Sequence, residues 1–176
     1  HRTLLHFTKA SNMTDRFNAL SALVQSGHAL SAEALAIFHK MFANEALVID
    51  KWFALQAGAS DRGGHILPIV RHLLQHPDFS LKNPNRARSL VFSYCSANPG
   101  AFHRSDAAGY VFWSDRVLEM DATNPQVAAR LARALDRWSH LTEPYRSAAK
   151  VAIERVAAKP DLSNDVREVV SRALSQ

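Results

Sequence analysis

Cysteine is almost missing from these 176 residues: Cys95 stands alone, so no internal disulfide can form, which fits a reducing compartment. It sits in the apolar stretch L-V-F-S-Y-C with no basic residue and histidine pair beside it, and reads as a small buried hydrophobe rather than an activated thiolate. Glycine is scarce too, at six residues, and β-branched runs are few, while Ala, Leu and Arg abound. That balance favours helices over strands. No apolar run approaches the roughly 20 residues of a bilayer-crossing helix, and no basic-then-apolar signal opens the chain. A soluble, cytoplasmic protein with no membrane partner is expected. The metal-binding pattern H-E-x-x-H is also missing. His72 and His76 at i and i+4, with His65 upstream, come nearest, but no carboxylate or Cys lies at a matching spacing. Pro77 puts His76 at a helix end, so these histidines read as solvated helix residues. D-R-G-G-H at Asp61–His65 is neither a P-loop nor a dinucleotide fingerprint and follows helix, hence a turn. The serines fall at caps and helix surfaces, and Asp115 and Glu119 share an exposed face, so no catalytic constellation assembles.

What the chain does have is apolar bulk, 47% of residues, enough to bury a sizeable core in one domain spanning 1–176. It begins at His1 without an initiator Met and with L-L-H-F already in helical-looking sequence, as expected of a piece of something longer. Asn12 or Thr14 can cap a first helix that Gly27 ends. Ser31 is expected to cap a second, with Leu35, Phe38 and Phe42 as its apolar stripe. A third covers about 45–57, and Ala57–Gly64 is the most turn-like segment. A helix over about 65–75 stops at His76-Pro77. Asn83-Pro84 and Asn124-Pro125 each pair an N-cap residue with proline at the first helical position. Ser105 or Asp106, Thr142 and Ser163 open the remaining segments. About nine helices with short connections give an all-α fold, a superhelical stack of antiparallel pairs of the HEAT or armadillo kind. No strict repeat period is visible, so any repeat is structural and degenerate.

The net charge is +5 and the isoelectric point about 9.7. Arg130, Arg133 and Arg137 recur at i, i+3 and i+7 as a stripe, whereas Arg86 and Arg88 lie about 200° apart on their helix. Such a stripe could meet phosphates on a concave surface. Asp136 interrupts it, however, and Trp52, Phe53, Phe92, Phe112 and Trp113 sit in apolar context as core rather than as stacking platforms. A solvated face is the favoured reading, and nucleic acid is not a favoured partner.

Ordered motifs from about Ser11 to the C-terminus carry a resemblance: S-N-M-T-D, V-I-D-K-W-F at Val48–Phe53, L-L-Q-H, N-P-N-R-A-R-S-L, S-A-N-P-G-A-F-H, G-Y at Gly109–Tyr110 and N-P-Q-V-A-A-R-L. Together they resemble the C-terminal helical domain of the bacterial-type aminopeptidase N family of zinc peptidases. The resemblance implies a cap that closes over an active-site chamber and restricts access to peptides. It implies as partners an upstream catalytic domain of the same chain and peptide substrates. Zinc, its ligands and the catalytic glutamate would belong to that upstream domain, leaving no cofactor and no catalytic residue here, and a piece that is inactive alone. Carried over by position, Arg88, Gln126 and Arg130 would bind the substrate's C-terminal side, because guanidinium forks suit carbonyls and carboxylates. Asp50 and Lys51 are expected to be structural, beside the core anchors Trp52 and Phe53. The alternative is a stand-alone, non-enzymatic helical-repeat module that binds peptide or nucleic acid.

Overall fold

The computed structural model describes residues 12–176, and among these every regular element is helical. The helical-looking Leu4–Phe7 and Ser11 of S-N-M-T-D lie outside the described residues.

Helix α1 (Met13–Gln25) starts where the Asn12 side chain accepts the Asp15 N–H at 2.8 Å. It ends at Gly27, whose φ of 67° is left-handed. Helix α2 (Ser31–Met41) departs from expectation at its start: Ser31 is already helical, and Leu30 holds the cap position without a side-chain bond. His28 compensates, its Nδ1 accepting the Leu30 N–H at 3.0 Å. Helix α3 (Ala46–Ala57) follows, then α4 (Ile66–Leu73). The latter stops short of Gln75 because Pro77 drives its predecessor His76 away from helical backbone.

Asn83 caps the next run by accepting the N–H groups of Asn85 and Arg86 at 3.1 and 3.3 Å. This run, α5, is continuous over 84–95: Pro84–Ala87 is α-helical, Arg88–Phe92 widens into a π turn, and Ser93–Cys95 returns to α. After the short α6 (Pro99–Phe102) come α7 (Ala108–Asp121) and α8 (Pro125–Ala132). Two 3-10 turns, Arg133–Leu135 and Trp138–His140, lead to α9 (Tyr145–Ala157) and α10 (Asn164–Leu174). The single helix that the Arg130, Arg133 and Arg137 stripe requires therefore breaks after Ala132.

The C-terminal half stacks as two pairs: α7 packs on α8 and α9, while α10 packs on α8 and α9. One apolar cluster runs from Ala19 to Ala173, with Phe38, Phe53, Tyr94 and Trp113 fully enclosed. Each tryptophan adds a directional pin. The indole N–H of Trp52 donates to Leu35 at 2.9 Å, that of Trp113 to Leu131 at 2.8 Å and that of Trp138 to Ala173 at 2.9 Å. Leu131 and Ala173 lie in the last turns of α8 and α10, where carbonyls run out of ordinary helical partners and accept only the short bonds of the C-caps, so buried indoles add a second hold on both ends. Burial keeps Cys95 in the core and pushes its thiol far up, as expected of an inert side chain.

Candidate functional site

The placement of α8 and α10 begins with their caps. Asn124 accepts the Val127 N–H at 3.2 Å, and Pro125 occupies the first turn without needing a partner. Ser163 accepts the Val166 N–H at 3.2 Å. It is held in turn by the buried Asp121 at the end of α7, whose carboxylate takes both the Ser163 hydroxyl and its backbone N–H. One carboxylate thus ties the start of α10 to the end of α7 and sets α10 against α8.

Between the two helices lies an open groove of about 330 Å³. Gln126, Arg130 and Arg133 line one wall; Asp165, Glu168 and Arg172 line the other. Arg172 is occupied by Glu168 at 2.8 Å. Among the described residues, neither the Arg130 nor the Arg133 guanidinium makes a hydrogen bond or ion pair, although Arg133 acts on the Asp136 carboxylate, and both residues are exposed. The groove therefore presents two free guanidinium forks beside an amide, a donor set for carbonyl or carboxylate oxygens. Of the three residues expected to bind substrate, Gln126 and Arg130 come together here. Arg88 does not line this groove; it stands exposed at the first position of the π turn of α5. The sequence stripe shortens as well, because Arg137 falls beyond the end of α8 and outside the groove. Arg133, a member of the stripe, joins Gln126 and Arg130 in lining the groove. The i,i+4 spacing of Glu168 and Arg172 is the sequence signal for their pair.

Arg86 shows what the other arginine of N-P-N-R-A-R does. It is buried, its Nε donates to Asp50 at 2.6 Å, its Nη1 donates to the Asp78 carbonyl, and it lies 5.3 Å from the Phe53 ring centroid. Asp50 is thus a structural pair partner joining α3 to α5, as expected from V-I-D-K-W-F. Lys51 is exposed, with Nζ 6.0 Å from the Phe17 ring. Asp115 pairs with Arg155 at 2.6 Å and Glu119 with Arg116 at 3.2 Å, so those carboxylates are structural too.

A second polar hollow, of about 350 Å³, is lined by Asp61, His103, Arg104, Asp106 and Tyr145 among others. Its charges are spent on the fold. Arg104 grips Asp106 at 3.0 and 2.7 Å and the Gly64 carbonyl at 2.9 Å; Asp61 accepts the N–H groups of Gly64 and Ile66 at 3.1 Å. The Arg104 hydrogen bonds, then the Ala108 N–H, hold Asp106 down at about 2. His103 shares a hydrogen bond with the Tyr110 hydroxyl at 2.7 Å, and burial lowers its pKa.

The H-E-x-x-H pattern of catalytic zinc does not occur in the sequence. Leu73 stands where H-E-x-x-H would need glutamate, and α4 ends at Leu73, so His72 and His76 do not share one helix. His76 is also not the solvated helix residue expected: it is half-buried, with its ring 5.3 Å from Trp52 and 5.5 Å from Phe53. No helix among the described residues is long and apolar enough to cross a membrane.

Comparison with known proteins places these features. Aminopeptidase N of Caulobacter vibrioides is 42% identical over 173 residues, covering 98% of this chain and 20% of the relative. The Haemophilus influenzae and Escherichia coli aminopeptidases N are 40% and 36% identical, each over 96% of this chain and 19% of their own length. The crystal structure of Legionella pneumophila aminopeptidase A in complex with aspartic acid superimposes with a TM-score of 0.91 at 27% identity, over 99% of this chain and 20% of that one. The chain spans about a fifth of these relatives and matches their C-terminal part. Residues 1–175 match the domain of unknown function DUF3458_C, described as ARM repeats, and the chain belongs to that family.

Proposed function

We propose that this chain is the C-terminal cap of a zinc aminopeptidase, closing the active-site chamber while an upstream catalytic domain removes N-terminal residues. In this reading Gln126 and Arg130 hold the C-terminal side of the peptide in the α8–α10 groove, and Arg88 supplies a further donor from the π turn. The observation that carries it is the pair of unpartnered guanidinium groups, Arg130 and Arg133, beside Gln126 in a groove large enough for a peptide end. The π turn at Arg88 supports its inclusion, since such turns recur at functional sites.

The hydrolytic metal would sit upstream, and no chemical step is assigned to residues of this chain. Their part is to bind and orient, which contributes through proximity rather than bond making. Closure over the chamber would admit short or unfolded peptides and exclude folded proteins. The 176-residue chain incubated with zinc and an amino-acid arylamide is expected to release no product.

The test compares peptides with a free or an amidated C-terminus as substrates of the parent enzyme. The reading expects KM to rise about tenfold on amidation, the equivalent of losing one charge-assisted hydrogen bond of about 1.4 kcal/mol. Equal KM values for both series would overturn the proposed contact. Strongly salt-dependent binding of DNA to the isolated chain would instead favour a free-standing interaction module.

A further inference from the structure

A second constellation lies away from the groove, at the junction of α2, α3 and the segment after α4. His39 is brought from α2, His76 from the turn that ends α4, and Asp78 from the loop leading to α5. One ligating atom from each of the three lies within 4.8 Å of the others. His39 Nε2 and Asp78 Oδ2 are 2.6 Å apart, and the two imidazole centroids are 5.0 Å apart in an edge arrangement. Trp52 walls the site on one side, its ring 4.8 Å from His39 and 5.3 Å from His76, with Phe53 behind.

We propose that His39, His76 and Asp78 form a binding site for one divalent transition-metal ion of the zinc class, which fastens α2 to the loop entering α5. Two imidazoles and one carboxylate are a donor set such ions take, with water completing the tetrahedron. Ligands at about 2.0–2.1 Å from tetrahedral zinc stand roughly 3.4 Å apart, so rotations that move the imidazole nitrogens by about 1 Å suffice. The lone pairs are accounted for. His76 Nδ1 accepts the Asp78 N–H at 3.0 Å, which places the ring proton on Nε2. An ion would take the Nδ1 lone pair in exchange for that hydrogen bond. At His39 an ion on Nε2 replaces the hydrogen bond to Asp78, and the ring proton moves to Nδ1.

Surrounding charge is compatible with a cation. Arg86, a cation that acts on His76, is paired with Asp50 at 2.6 Å. Burial is the first cause lowering the His76 pKa, with His39, Arg86 and His72 acting the same way and Asp78 opposing. That direction favours the neutral imidazole, the state that ligates. Trp52 and Phe53 cover the histidine side of the site, while Asp78 stays open to solvent. The site has neither a glutamate base nor two ligands on one helix, so its role is to fasten rather than to hydrolyse.

The experiment titrates Zn²⁺ into the metal-stripped 176-residue chain by calorimetry and repeats the titration with Co²⁺, whose visible spectrum reports nitrogen and oxygen ligands. One ion per chain is expected, with affinity falling as pH is lowered. His39→Gln and His76→Gln should each weaken binding by at least about tenfold, the upper part of the range starting from what a lost supporting group costs. Asp78→Asn should weaken it too, and His72→Ala should leave it unchanged. Circular dichroism melting of each variant separates loss of a ligand from loss of the fold. No saturable Zn²⁺ uptake by the wild-type chain would overturn the proposal. So would undiminished binding by folded His39→Gln or His76→Gln.

Discussion

Gly109 and Ala107 sit two residues apart at the start of α7, and the structure assigns their substitutions opposite signs. A Cβ added at Gly109 would fall 2.1 Å from the Phe102 carbonyl oxygen and 3.2 Å from the Tyr94 hydroxyl. A carbon–oxygen contact wants about 3.3 Å, so something must yield by roughly 1 Å. The obstruction cannot swing aside. It is backbone, the Phe102 carbonyl is already accepting the Arg104 N–H at 2.9 Å, and Tyr94 is anchored to Ala101 at 2.9 Å. On an exposed helix, Gly→Ala stabilises by about 1 kcal/mol. Here overpacking outweighs propensity, and Gly109→Ala should destabilise by about 3 kcal/mol. Ala107 has φ of 65°, a left-handed backbone that costs an alanine roughly 1–2 kcal/mol. Ala107→Gly removes that strain and adds unfolded-state entropy, for a net gain of about 0.5 kcal/mol. Urea unfolding followed by circular dichroism reads both. With a slope near 2 kcal/mol/M, the Gly109→Ala midpoint drops by about 1.5 M. A Gly109→Ala chain as stable as wild type, or more so, would refute the close-approach argument.

Two further predictions concern buried charge and pH. Arg86→Ala leaves the Asp50 carboxylate, 15% exposed, without its partner, and should destabilise by roughly 3 kcal/mol. The double change Arg86→Met with Asp50→Leu should recover most of this, measured as a double-mutant cycle in urea; a cycle with no coupling would sink the account of the pair. Burial lowers the pKa of both His76 and His103 below the ordinary 6.5. Below that value the unfolded chain binds more protons than the folded one. Stability is therefore full above about 6.5 and declines as pH falls through it. The urea midpoint should drop between pH 7 and 5.5, less steeply in His103→Gln, and a flat profile would contradict the burial argument.

Much of the fold was legible because its punctuation is chemical. Asn12, Asn83, Asn124 and Ser163 carry short acceptors that satisfy orphan N–H groups, and all four cap as read. Asp50 was legible as structural because it neighbours two core anchors. Other features depend on groups distant in sequence. Leu30 begins α2 through His28 rather than through Ser31, a bond that a cap rule for serine does not anticipate. The break after Ala132 leaves no proline or glycine mark, so Arg137 looked like part of the stripe. The groove needs Asp121 to seat Ser163, 42 residues on, and the histidine cluster needs His39 from a different helix. Sequence spacing along one helix sees neither.

The central claim is that the α8–α10 groove holds the peptide end remote from the bond that is cut. Its most direct test is Arg130→Ala in the parent enzyme, assayed with a tetrapeptide and with an amino-acid arylamide that has no C-terminal side. The account predicts that KM for the tetrapeptide rises about tenfold, one lost charge-assisted contact, with kcat and the arylamide kinetics unchanged. Equal effects on both substrates, or none on the tetrapeptide, would contradict it.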